Sequence, residues 1–144
     1  MSDDSKATGR CLCGAVKITI PGGQREVGAC HCSMCRRWTG GPILAFDAGR
    51  DLAIEGEERI GVYRSSDWAE RAFCKTCGSN LFYRLVGSGE HHLCAGLFDD
   101  QDGFTLETQI FIDEKPEFYA FANETKDMTG PEVFALYAPP PDEG

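Results

Sequence analysis

Three observations predict an all-β fold for this chain. Short runs of alternating apolar and polar residues recur between Val16 and Ile112, turn signals rich in Gly, Asp and Pro separate them, and helical periodicity is scarce. The first run, Val16-Lys17-Ile18-Thr19-Ile20, alternates strictly and is stopped by Pro21-Gly22-Gly23, the pattern of a half-buried strand. One short helical turn is expected at Ser33 to Trp38. Strands then follow at Ile43 to Phe46, Ile60 to Arg64, Ala69 to Phe73 and Leu81 to Val86, and again at Leu93 to Leu97 and Thr105 to Ile112. Gly87-Ser88-Gly89 and Asp99-Asp100-Gln101-Asp102-Gly103 are the clearest turns between them. A last helical turn is expected at Gly130 to Leu136, where Pro131 suits a first helical position.

A length of 144 residues fits one domain, expected over 9–138 between a disordered tail at 1–8 and a C-terminal tail at 139–144. Asp3-Asp4 and Asp142-Glu143 make both tails acidic, and Pro139-Pro140-Pro141 ends regular structure. The formal charge of −9 argues against nucleic acid as a partner, because phosphate binding draws on clustered Lys and Arg. No run approaches the roughly 18 apolar residues of a membrane helix. Met1 to Lys6 holds no apolar leader, so a cytoplasmic location with reduced thiols is expected.

Seven of the eight cysteines fall into a metal-ligand pattern: Cys11 and Cys13, then Cys30, Cys32 and Cys35, then Cys74 and Cys77. A disulfide framework is the competing reading of an even cysteine count in a short chain. It fits poorly with reduced thiols and with cysteines one residue apart, given the demanding geometry of the bridge. The two outer pairs together supply four thiolates, a closed tetrahedral site that would clip the start of the sheet to its middle. The central run, on an expected loop from Ala29 to Gly41, supplies three thiolates and leaves one position open, as catalytic sites do. Soft thiolates in tetrahedral array favour zinc, with iron as the competitor. Two zinc ions with different tasks are therefore expected. A three-sulfur zinc suits an incoming substrate thiol, which coordination deprotonates while keeping it nucleophilic, so making or breaking a carbon–sulfur bond is the favoured chemistry.

Three segments carry a resemblance to a known family: Gly9-Arg10-Cys11-Leu12-Cys13-Gly14-Ala15-Val16, Cys30-His31-Cys32-Ser33-Met34-Cys35-Arg36-Arg37, and Phe73-Cys74-Lys75-Thr76-Cys77-Gly78-Ser79-Asn80-Leu81-Phe82-Tyr83. Together they resemble the glutathione-dependent formaldehyde-activating enzymes, a family that includes centromere protein V, over about residues 9–120. The resemblance implies a β-tent (Mss-like) zinc fold, antiparallel sheets meeting at a four-cysteine metal. It maps the structural zinc onto Cys11, Cys13, Cys74 and Cys77, and the catalytic zinc onto Cys30, Cys32 and Cys35. The implied activity is that of a carbon–sulfur lyase, joining glutathione and formaldehyde into S-hydroxymethylglutathione. Two positions depart from the family's habit: Gln109 stands where many members carry histidine, and Phe118 where many carry tryptophan. The Asp99-Asp100 turn and Lys115 are retained.

The remaining candidates each have a bland reading. His31 either sits exposed or bonds a ligand sulfur, or it handles a proton during the reaction. Arg36 and Arg37 either form a surface pair or bind the carboxylates of glutathione. Trp38 is expected to pack the loop, His91-His92 to sit in a solvated turn, and Arg84 to play little part. Cys94 is expected as a small core residue rather than the redox nucleophile of a methionine-R-sulfoxide reductase, since Ala95-Gly96 follows it. The alternative to an enzyme is a non-enzymatic zinc module that carries glutathione or binds a protein partner.

Overall fold

The computed structural model describes residues 6–137. In chain order the elements are β1 (Lys6–Arg10), β2 (Lys17–Pro21), β3 (Arg25–Cys30), α1 (Ser33–Thr39), β4 (Ile43–Gly49), β5 (Ala53–Glu55) and β6 (Ile60–Arg64). They continue as β7 (Ala69–Cys74), β8 (Asn80–Leu85), β9 (His91–Cys94), β10 (Phe104–Ile110), β11 (Lys126–Met128) and α2 (Gly130–Tyr137). The fold is mostly β-sheet with two short helices, as the alternating runs predict. The tail expected at 139–144 lies outside the described residues, as do residues 1–5 of the tail expected at 1–8. Lys6, Ala7 and Thr8 are instead strand, because β1 pairs along its whole length with β2, from Lys6↔Pro21 to Arg10↔Lys17.

The span expected as one domain divides into two compact units. Among the described residues these are 6–27 with 44–105, and 28–43 with 106–137, the chain passing from one to the other within β3, at the start of β4 and within β10.

In the first unit β1, β2 and β5 form a three-stranded sheet, and β4-β9-β8-β7-β6 follow one another in antiparallel order. The alternation read in β2 is realised: Ile18 and Ile20 are buried while Lys17 and Pro21 are exposed. Phe46, Phe98 and Phe104 pack ring against ring, with centroids 5.2 to 5.9 Å apart. Burying each such side chain stabilises the unit by about 1.5–3 kcal/mol. The strand expected at Leu93 to Leu97 stops at Cys94, and Ala95–Leu97 is a 3₁₀ turn. Ala95 and Leu97 are both buried there, so an apolar run is satisfied without being extended. His91 and His92 open β9 rather than sit in a solvated turn.

In the second unit β3 lies beside β10, and β10 pairs with β11 in parallel register through Thr108↔Lys126, Gln109↔Asp127 and Ile110↔Met128. This departs from the expected all-antiparallel pairing. Residues 111–125 form a connection long enough to bring the chain round in the same direction. The strand expected to reach Ile112 ends at Ile110 because Phe111 takes φ 56°, the left-handed region, and turns the chain into the 3₁₀ turn Ile112–Glu114. α1 closes on Gly40 at φ 90°, with its N–H on the Arg36 carbonyl, a left-handed cap that favours glycine. α2 opens with a reciprocal box: Glu132 accepts from the Thr129 N–H at 2.8 Å, and the Thr129 hydroxyl accepts from the Glu132 N–H at 3.3 Å. No helix among the described residues is long and apolar enough to cross a membrane.

Candidate metal centres

Two turns of the first unit carry the outer cysteines. One follows β1 with Cys11 and Cys13, and the other follows β7 with Cys74 and Cys77. Each turn closes through a glycine at φ 82°, the N–H of Gly14 bonding the Cys11 carbonyl at 3.1 Å and that of Gly78 the Cys74 carbonyl at 2.8 Å. A side chain with a Cβ resists that conformation, and this explains the glycine after each pair. The four sulfurs lie within 4.8 Å of one another, with Cys11 to Cys13 at 3.7 Å and Cys13 to Cys74 at 3.8 Å. A tetrahedron of sulfurs about 2.3 Å from a central ion has edges of about 3.8 Å, so these thiols are already spaced to hold a metal. They are too far apart for disulfides, and all eight cysteines are free thiols.

Ser79 joins the two turns. Its hydroxyl accepts from the Leu12 N–H at 2.9 Å and lies 3.2 Å from the Cys77 sulfur. Hydrogen bonding by Ser79 pulls the Cys77 thiol down to about 5, which favours its thiolate.

The second unit brings together Cys30 at the end of β3, Cys32 at the cap of α1 and Cys35 in its first turn. Their sulfurs again lie within 4.8 Å of one another. The Cys35 N–H points at the Cys32 sulfur at 3.4 Å, so the helix cap and the candidate ligand are one atom. All three side chains are buried. Within α1 Cys35 is buried while Arg37 and Thr39 are exposed. Hydrogen bonding to Cys32 and Cys35, with burial, pushes the Cys30 thiol up. Three thiolates this close need a cation among them, and the donor set fits a soft metal ion.

His31, between two of these cysteines, is fully buried and neither exposed nor bonded to sulfur. Its Nε2 lies 2.8 Å from Gln109 Oε1 and its Nδ1 lies 2.8 Å from the Tyr119 hydroxyl. An amide oxygen only accepts, so Nε2 carries the proton and Nδ1 accepts from Tyr119. The network supports that assignment: Gln109 Nε2 donates to the Thr125 hydroxyl at 2.9 Å, which donates to Asp127 Oδ1 at 2.6 Å. Burial holds the imidazole below its ordinary pKa, so it is neutral near pH 7. Gln109, a departure from the family's habit, is the residue that fixes this tautomer. Tyr119, Thr125 and Asp127 had no signal in the sequence, because it is the fold that brings Tyr119 to His31 and the parallel pairing of β11 that sets Asp127 opposite Gln109.

The other candidates are placed as follows. Arg36 is half-buried and spends its Nε–H on the His31 carbonyl at 2.9 Å, while Arg37 is exposed. Phe118 is exposed, with its ring edge-on to Tyr119. Arg84 forms an ion pair with Glu70, its cross-strand neighbour. Cys94 is half-buried at the end of β9, opposite Ala45. A third group that sequence reading missed, Asp47, Glu90 and His92, also brings ligand atoms within 4.8 Å. Asp47 is exposed and caps the bulge of β4 through the Gly49 N–H, and His92 stacks on Tyr83.

One cluster of four cysteines and a second of three give the fold two groups of sulfurs that could each hold a metal ion. The profile of the glutathione-dependent formaldehyde-activating enzymes matches residues 6–114, and the chain belongs to that family. It is 36% identical over 126 residues to an uncharacterized lyase of Schizosaccharomyces pombe, covering 87% of this chain and 92% of that one. It is 31% identical over 150 residues to a Halomonas elongata protein provisionally named glutathione-dependent formaldehyde-activating enzyme, covering 94% and 88% of the two chains. A crystal structure of a Rhodobacter sphaeroides protein superposes with a TM-score of 0.55 at 28% identity, over 64% of this chain and 87% of the other.

Proposed function

We propose that the protein is a zinc-dependent carbon–sulfur lyase that joins glutathione to formaldehyde, or to a related small aldehyde, giving S-hydroxymethylglutathione. The observation that carries this reading is the cluster Cys30, Cys32 and Cys35, three sulfurs within 4.8 Å that no fourth cysteine, histidine or carboxylate joins among the described residues. Cys11, Cys13, Cys74 and Cys77 would hold a structural zinc and the three-cysteine centre a catalytic one. Bound zinc supplies there a coordination position that favours the thiolate form of a substrate thiol. In the reaction the glutathione sulfur bonds to the aldehyde carbon, the carbonyl π bond opens, and the oxygen takes up one proton while the thiol has lost one. His31 does not face substrate directly, as both ring nitrogens are engaged. It holds the Tyr119 hydroxyl in place, and any proton that reaches the imidazole passes through that hydroxyl. Exposed Arg37, with the terminal nitrogens of half-buried Arg36, would bind a glutathione carboxylate. The reaction belongs in the cytoplasm, where thiols stay reduced.

Burial of all three cysteines favours a second reading, a zinc module that carries glutathione without chemistry. Exchange NMR with labelled formaldehyde separates the two. Zinc-loaded wild type should accelerate interconversion of glutathione and its hydroxymethyl adduct, and Cys32→Ser should return it to the uncatalysed rate. Wild type that binds glutathione yet leaves the exchange rate unchanged would favour the carrier.

A further inference from the structure

A cavity of about 680 Å³ opens in the second unit, with Gln109, Lys115, Phe121, Glu124, Thr125 and Asp127 in its wall. Its volume is within the range of about 300–1,000 Å³ that small-molecule sites occupy. Two of its residues meet His31, which lies between Cys30 and Cys32 in the chain. Gln109 holds His31 Nε2, and the Phe121 ring lies 6.1 Å from the His31 ring.

The wall carries charges of both signs that are not spent on each other. Lys115 forms no ion pair with Glu124 or Asp127, whereas Arg84 and Glu70 in the first unit do pair. The Lys115 ammonium is oriented by the carbonyls of Pro116 at 2.9 Å and Tyr119 at 2.5 Å, which use two of its three donors and leave one. Asp127 is fixed on β11 opposite Gln109, and the Thr125 hydroxyl occupies Oδ1, leaving Oδ2 to accept. An ammonium and carboxylates held apart on one wall complement a ligand end that carries a carboxylate and an ammonium on the same carbon. We propose that this cavity binds the γ-glutamyl end of glutathione, Lys115 receiving its α-carboxylate and Asp127 with Glu124 its α-ammonium, while the cysteinyl thiol reaches Cys30, Cys32 and Cys35. The proposal rests on glutathione being the thiol substrate, and it leaves the glycyl carboxylate to Arg36 and Arg37.

Calorimetric titration of the zinc-loaded protein with three thiols tests it: glutathione, γ-glutamylcysteine and cysteinylglycine. Cysteinylglycine should bind about 10-fold or more weaker than glutathione, as loss of the charge-assisted hydrogen bonds to the γ-glutamyl end requires, whereas γ-glutamylcysteine keeps that end and loses only what the glycyl carboxylate contributes. Asp127→Asn keeps the oxygen that Thr125 bonds. It should weaken glutathione and γ-glutamylcysteine by about 10-fold and leave cysteinylglycine unchanged. Glu124→Gln, at an exposed position, should act in the same direction and serves if Asp127→Asn fails to fold. Equal binding of glutathione and cysteinylglycine, or variants that weaken all three thiols alike, would overturn the cavity assignment while leaving glutathione as substrate. Absence of glutathione binding by wild type would overturn both.

Discussion

Ser79 and Gln109 act at the scale of one residue, each through a neighbour that could hold metal or stand beside it. Ser79 bonds the Cys77 sulfur and the Leu12 N–H, so Ser79→Ala removes the donor that keeps Cys77 ionised. Groups that orient metal ligands typically matter by 10–100-fold in affinity, and competition with a chelator should show a loss of about that size. Gln109→Leu leaves the buried His31 Nε2–H without an acceptor and should destabilise the fold by about 1–3 kcal/mol in urea denaturation. A variant as stable as wild type would mean the imidazole finds another partner. The cysteines themselves are legible from spacing alone, since ligand chemistry fixes which residues recur and how far apart. Ser79, Tyr119 and Asp127 are not, because their roles depend on which strand lies beside which. His31 is legible as a candidate but not as a buried one.

At the scale of elements, alternation predicts β2, β4, β6, β7 and β8 and misses β1, β3, β5 and β11. β1 reads Lys-Ala-Thr-Gly-Arg and β11 reads Lys-Asp-Met, with too little apolar periodicity to announce a strand. Pairing partners supply what propensity does not. The ends of β9 and β10 are misread for a related reason: an apolar run continues past each strand while the backbone turns away. β9 also carries a pH response. His91 packs edge-on against Phe82, its Nδ1–H bonds the Gly49 carbonyl at 3.1 Å, and burial lowers its pKa below the ordinary value. The unfolded chain therefore takes up this proton first as pH falls. The associated stability is complete above about pH 6.5 and is lost progressively below it. His91→Phe should flatten the decline in urea midpoint between about pH 7.5 and 5.5 relative to wild type. An unchanged slope would mean the ring is already protonated in the fold.

On the scale of the molecule, the two clusters differ in what depends on them. The four-cysteine centre joins residues 61 apart in sequence, Cys13 and Cys74, so a metal ion held there would be linked to folding of the first unit. Cys74→Ser should give aggregated or unfolded protein, and a soluble, cooperatively melting product would remove the structural assignment. Cys32→Ser should fold, because serine serves as well as cysteine at the cap of α1, and it should lose one metal ion by native mass spectrometry. Cadmium-113 NMR of the cadmium-loaded protein distinguishes the two centres, because the shift reports the number of sulfurs on each ion. Two resonances are expected, of which only one moves on addition of glutathione, and that one should be missing from Cys32→Ser. A single resonance, or two that both stay in place at saturating glutathione, would contradict an open three-cysteine centre that takes the substrate by its sulfur.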